Sequence, residues 1–150
     1  MYYYTRSIEI AADLEKVFAF HIDPSNLLRI TPRYLRVKLL QHDHPGAGAE
    51  VKLLVRPLGL FPQHWHLRFD LFDAPRRLGD IMLSGPLPHW RQVREFIPLR
   101  NGNCLLNDSV EYEVPFGRFG KLAHPFLIRR MIRAMFASRQ KITKKLLEGA

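Results

Sequence analysis

A chain of 150 residues holds one domain rather than two, and at that length folding buries roughly 70% of the surface the open chain exposes. A hydrophobic content of 47% with 11% aromatics excludes a disordered chain. The 23 basic against 14 acidic residues leave a net charge of +9, which favours phosphates, anionic headgroups or acidic partners without specifying a fold.

From the N-terminus, MYYYTRSIEI lacks the apolar core and small-residue site of a secretory signal. No apolar run nears the ~20 residues that span a bilayer, so a soluble protein is expected. YYYTRSIEIA is rich in aromatic and β-branched residues and predicts a first strand. ADLEKVFAFH predicts a helix capped by Asp13, with Leu14, Val17, Phe18 and His21 at helical spacing. DPSNLLRITP predicts a second short helix closed by Pro32.

The apolar period then changes to two. Leu35, Val37 and Leu39 alternate with Arg36 and Lys38; Val51, Leu53 and Val55 follow, then Trp65, Leu67, Phe69 and Leu71. HPGAGAE and RPLGLFPQ separate these strands as turns. RRLGDIML, HWRQVREFIPL and NCLLNDSVEYEV predict three more strands, joined through SGPLP and RNG at hairpin distance. Cys104 is the only cysteine, which excludes an internal disulfide and makes a reducing, cytoplasmic setting the default expectation. PFGRFG ends the sheet, and a long helix is expected over residues 122–147 with Pro125 in its first turn. One strand, two short helices, six strands and a terminal helix describe a single α+β domain over residues 1–150.

The segment RRMIRAMFASRQKITKK carries seven of the 23 basic residues. On a helix, Ile128, Ile132, Met135, Ile142 and Leu146 form one stripe, with Met131, Phe136 and Leu147 beside it. Most of the cations fall elsewhere, which describes a solvated face rather than a nucleic-acid grip; binding to nucleic acid is not expected. Contact with an anionic membrane stays open as a weak attraction. Arg139 alone breaks the stripe, falling with Met135 and Ile142 on the side facing the sheet, where a charge needs a partner or water.

FAFHIDPSNLLRITP, SGPLPHW, LNDSVEYEVPFGRFGKL and the MFASRQ helix, in this order and spacing, resemble the SRPBCC superfamily. This is the START-like, Bet v 1-like group, and the likeness is strongest to its bacterial ligand-binding SRPBCC domain proteins, related to polyketide cyclases and dehydrases. It covers nearly the whole chain. The resemblance implies a helix-grip fold, in which a seven-stranded curved antiparallel sheet wraps a long C-terminal helix over a hydrophobic cavity. It also implies binding of apolar small molecules or lipids, with a minority of members acting as enzymes. The related pattern W-x-H-x-H is not kept: Gln92 and Arg94 follow Trp90 in its place, so chemistry resting on those histidines is not expected.

Trp65, Leu67 and Phe69, if they face inward, would line such a cavity together with Met82, Trp90 and Phe96, while Ile132 and Met135 approach from the helix. Period two groups Asp80 with Leu78 and Met82, Gln92 and Arg94 with Trp90, and Asp108 with Leu106, Val110 and Tyr112. A three-residue loop over residues 100–102 sets Arg94 opposite Asp108 and Phe96 opposite Leu106, and the preceding hairpin brings Asp80 near Gln92. Asp80, Gln92, Arg94 and Asp108, with Arg139, are therefore expected on the inner wall, either as a ligand anchor or as a salt-bridged network. His64 with His66, and His42 with His44, have spacings that could hold a metal, yet no third ligand accompanies them; neither a metal nor a cofactor is expected.

Three functions remain. Binding of a small hydrophobic molecule or lipid leads. A cyclase- or dehydratase-like enzyme would use Asp80, Asp108 or Tyr112 as acid or base, but neighbouring arginines are expected to hold the carboxyls down. A module docking on an acidic protein or membrane through the basic helix face is the third. Oligomeric state is not legible.

Overall fold

The alternating segments become strands and the 3.6-period segments become helices. In the computed structural model, which describes residues 1–149, β1 (Tyr2–Ile10) leads into α1 (Leu14–Ile22) and α2 (Pro24–Ile30). Asp13 caps α1 by accepting from the Lys16 amide at 2.8 Å, and Asp23 caps α2 by accepting from the Ser25 amide at 3.0 Å. Six strands follow: β2 (Val37–His42), β3 (Glu50–Val55), β4 (Gln63–Asp73), β5 (Arg77–Ser84), β6 (His89–Pro98) and β7 (Cys104–Glu113). They form one antiparallel sheet in the order β1-β7-β6-β5-β4-β3-β2, curved around the terminal helix. Strand β2 starts later than its alternation implies. Leu35 closes a 3₁₀ turn and Arg36 adopts a left-handed conformation at φ 43°.

The β6–β7 register matches the sequence expectation, pairing Arg94 with Asp108 and Phe96 with Leu106. The Leu99 amide donates to the Asn103 carbonyl at 2.9 Å, leaving a loop of residues 100–102 in which Gly102 sits at φ 86°. That left-handed glycine supplies the bulge that the register requires.

The terminal helix begins earlier than expected. It runs as α3 (Gly117–Ala123), a π turn (His124–Ile128) and α4 (Arg129–Glu148). PFGRFG ends the sheet as expected, but α3 already starts within it, and Gly120 lets that helix pass close to the chain at Pro115, where an added Cβ would lie 1.8 Å from the carbonyl oxygen. Pro125 is therefore not in a first turn; it occupies the π turn, whose wider loop accommodates a residue without an N–H.

The buried face of α4 is also rotated from the expected stripe. Ile132, Phe136, Gln140, Thr143 and Leu147 are buried, Met135, Ile142 and Leu146 are half-buried, and Met131 is exposed. Arg129, Arg130, Arg133, Lys141 and Lys145 face solvent as expected. The core divides in two. One cluster packs α1, α2 and the end of α4 on β3 to β7, and a smaller one gathers Trp90, Val110, Tyr112, Ile132 and Phe136 beneath α4. No helix of the described residues is long and apolar enough to cross a membrane.

Candidate ligand-binding site

Between these two clusters the sheet and helix do not close. An inner chamber of about 70 Å³ is bounded by β3 to β6, by α1 and α2, and by Met135 and Arg139 of α4. A larger groove of about 630 Å³ lies beside it, with Ile128, Met131 and Ile132 on the helical side and Tyr34, Leu35, Pro57 and Leu87 among its other walls. Trp65, Met82, Trp90 and Met135 border both spaces and form the neck between them. Ligand sites of globular proteins occupy roughly 300–1,000 Å³, so the groove has room for an apolar body and the chamber only for a head group or a few waters.

The chamber is polar because Asp80, Arg94 and Arg139 project into it from two strands and one helix, with Asp108 of a third strand behind them. Asp80 pairs with Gln92 across β5 and β6, and Arg94 with Asp108 across β6 and β7. The Arg94 guanidinium lies 3.8 Å from Asp80 Oδ1 and 3.7 Å from Asp108 Oδ1, distances of ion pairing rather than direct hydrogen bonding. Asp108 is otherwise well held, accepting from Gln140 Nε2 at 2.8 Å and from Gln92 Nε2 at 3.3 Å. Asp80 has only the long approach of Arg94, and burial raises its pKa in spite of both arginines. The expectation that arginines would hold this carboxyl down is thereby corrected: desolvation outweighs an ion pair at this distance.

Arg139 completes the group. Its pKa is lowered to about 10 by burial first and by Arg94 second, so it remains cationic near neutrality. Its buried Nε has no acceptor, and the buried Gln140 Oε1 has no donor. A buried donor left unmade is unfavourable by about 1–3 kcal/mol, more when charged.

The inner chamber brings together Trp65, Leu67, Phe69, Asp80, Met82, Trp90, Gln92, Arg94, Met135 and Arg139. Asp108 borders a void of about 10 Å³ behind it, and Ile132 borders the outer groove. Two expected wall residues lie elsewhere. Phe96 packs edge-on against Phe18 with centroids 5.3 Å apart, filling the core. The Tyr112 hydroxyl shares a hydrogen bond of 2.6 Å with Nε2 of buried His124, and Tyr2 stacks on that histidine at 3.6 Å. Burial raises the Tyr112 pKa and lowers that of His124, so the pair is a neutral pin between β7 and the π turn. Tyr112 is accordingly no acid or base for the cavity. Arg68 of β4 also borders the chamber while remaining exposed to solvent.

Several wall residues were missed: Phe20, Asn26, Leu27 and Ile30 of the short helices, and His21 above all. The signal for His21 was present, since it closes the Leu14, Val17, Phe18 stripe of α1. Its Nδ1 bonds the Val17 carbonyl at 2.8 Å, and burial lowers its pKa to about 3, leaving a neutral ring with Nε2 as an acceptor. The other histidine pairs are explained locally. His66 bonds Glu50 on the neighbouring strand, and His64 and His42 are exposed. Among the described residues no three His, Cys, Asp or Glu side chains converge.

No family model and no curated protein sequence matches the chain. Solved structures do. A protein from Thermus thermophilus aligns at 16% identity over 96% of this chain and 95% of its own, with a TM-score of 0.78. A START superfamily protein from Mycobacterium smegmatis aligns at 14% identity over 98% and 97%, with a TM-score of 0.75. Norcoclaurine synthase from Thalictrum flavum, solved in complex with dopamine and hydroxybenzaldehyde, aligns at 20% identity over 99% and 88%, with a TM-score of 0.69. At these identities the likeness establishes the fold alone, a START-like helix-grip.

Proposed function

We propose that this START-like helix-grip domain binds an amphipathic small molecule or lipid, its apolar body in the outer groove and its polar head in the inner chamber. The observation that carries this reading is Arg139: a buried guanidinium donor without an acceptor at the polar end of an otherwise apolar space. A carboxylate or carbonyl oxygen placed there would satisfy it, and the neutral His21 ring offers an acceptor to a head-group hydroxyl. The aromatic and methionine neck supplies a deformable apolar passage for the chain behind the head. Native mass spectrometry of gently purified protein tests the reading. It expects an added mass of an amphipathic molecule that is displaced by a long-chain fatty acid; a protein that takes up neither overturns it.

One observation favours a second reading. Asp80 is a buried carboxyl with a raised pKa, the property of a general acid. If a molecule recovered from the protein changes mass on incubation with the wild type but not with Asp80→Asn, the acid–base reading replaces simple binding.

A further inference from the structure

Two separate segments that border the outer groove push large apolar side chains into water. Leu58 and Phe61 stand on the turn between β3 and β4; Phe116, Phe119, Leu122 and Phe126 stand on the segment that starts the terminal helix, each of the six at least 72% exposed. Pro57 and Gln63 from the first segment, and Pro115, Phe116, Ile128 and Met131 from the second, border the same opening. Phe119, Leu122 and Phe126 repeat at helical spacing and so form one stripe. Leu58 and Phe116 are both held at positive φ, 55° and 66°, a conformation unfavourable for bulky residues. Scattered exposed apolar residues need no explanation, but six concentrated on the two segments that border one opening, with Phe116 itself lining it, do.

The charge around that mouth has one sign. Residues 114–147 contain nine lysines and arginines and no aspartate or glutamate, and residues 51–69 contain no acidic residue either. Arg118, Lys121, Arg129 and Arg130 lie exposed along the helical rim.

We propose that this mouth docks on an anionic membrane surface, with both apolar rims seated at the headgroup boundary and the basic side chains on the lipid phosphates. A bilayer accepts protruding side chains from two elements without needing matching pockets, and it supplies the negative charge that the rims lack. A second copy of this chain would bring +9 against +9. The surface shares only Arg129 and Arg130 with the basic face of α4 singled out in the sequence, and apolar insertion rather than charge is its main contact. Docking here would also open the groove to the acyl region, so an apolar ligand could enter without crossing water. That last consequence rests on the proposed ligand binding; the docking does not.

Co-sedimentation of the full chain with vesicles tests it, using phosphatidylcholine alone and phosphatidylcholine with phosphatidylglycerol. The wild type is expected to sediment with the mixed vesicles and far less with the neutral ones. Phe61→Ser/Phe119→Ser, at two exposed positions, should lower partitioning by about tenfold while leaving the circular dichroism spectrum unchanged. Each of Arg118→Gln and Lys121→Gln should lower it by about fivefold. Equal partitioning of the wild type and the serine variant would reduce the contact to adsorption by charge and overturn the proposal. So would absence of sedimentation with mixed vesicles, or a solution dimer that the serine variant dissolves. Because ligand uptake is measured separately, in detergent-free solution by native mass spectrometry, docking and binding fail independently.

Discussion

Gln140 of α4 donates from Nε2 to Asp108 Oδ2 of β7 at 2.8 Å and, from the same nitrogen, to the Arg6 carbonyl of β1 at 2.9 Å. One buried amide thus ties the terminal helix to two strands and holds the carboxylate that Arg94 approaches from the other side. Gln140→Leu should leave Asp108 short of a donor in a water-poor site. The expected loss is about 1–3 kcal/mol in urea denaturation. An unchanged midpoint and slope would mean that the bond contributes nothing net.

Arg139 and Arg94 differ in their partners, and the difference predicts unequal roles. Arg94 approaches two carboxylates, whereas Arg139 Nε has none. Arg139→Met should weaken binding of a fatty acid by about 10- to 100-fold, the range for a charged hydrogen bond, and that of an alkane of equal length by far less. Arg94→Ala should also weaken the acid more than the alkane, but with a fall in stability as its carboxylate partners lose their cation. Titration calorimetry with the two ligands separates these outcomes, and equal losses for acid and alkane would remove the anchor.

Asp80 predicts a pH dependence. Its folded pKa is raised above 3.8 by burial, so the native state holds its proton more tightly than the unfolded chain does. Stability from this group is therefore fully present below the unfolded value and falls as pH rises through the folded one. Among Asp80, Arg94, Arg139 and Asp108, a neutral Asp80 leaves one net positive charge and an ionised Asp80 leaves none; the exposed Arg68 and Asp23 on the chamber wall offset each other in both states, and His21, at about 3, adds nothing. Anionic ligands should bind more tightly as pH falls into that window, until they take up a proton themselves. Asp80→Asn should flatten both profiles, and a wild type with level stability and affinity across the window would contradict the charge balance.

Both tryptophans of the chain, Trp65 and Trp90, stand at the neck. Passage of a ligand into the chamber should change the intrinsic emission at saturation. Trp90→Phe should retain only the Trp65 part of that change, while keeping an aromatic ring against Phe136, which Trp90 stacks on at 6.1 Å. An emission spectrum indifferent to a ligand that binds by calorimetry would place the ligand elsewhere.

Gly120 predicts a backbone effect. A Cβ there meets the Pro115 carbonyl oxygen, whereas one at Gly46 meets nothing within 4 Å. Gly120→Ala should lower stability by about 1–3 kcal/mol and Gly46→Ala should be near neutral, as measured by thermal denaturation.

Reading from the chain alone reached far into the sheet and less far into the helix. Alternation settles which side chains share a strand face, and a three-residue loop settles register; together they place Arg94 against Asp108 and Asp80 near Gln92, as the strands pair them. Helical phase is less exact. The terminal helix starts earlier than expected and carries a π turn at Pro125, and Gln140 and Thr143 are buried where Arg139 was the one polar residue expected to face the sheet.

Fold class, strand order along the chain and the polar wall of the sheet were determined by local periodicity, because period two and period 3.6 are properties of neighbouring residues. What lies between the walls was decided only in three dimensions. Whether Asp80 yields to burial or to Arg94 depends on a 3.8 Å gap, whether Phe96 fills core or lines a cavity depends on what α1 packs against, and whether Arg139 finds an acceptor depends on groups distant in sequence. Distances of that kind arise from packing, which a linear pattern does not contain.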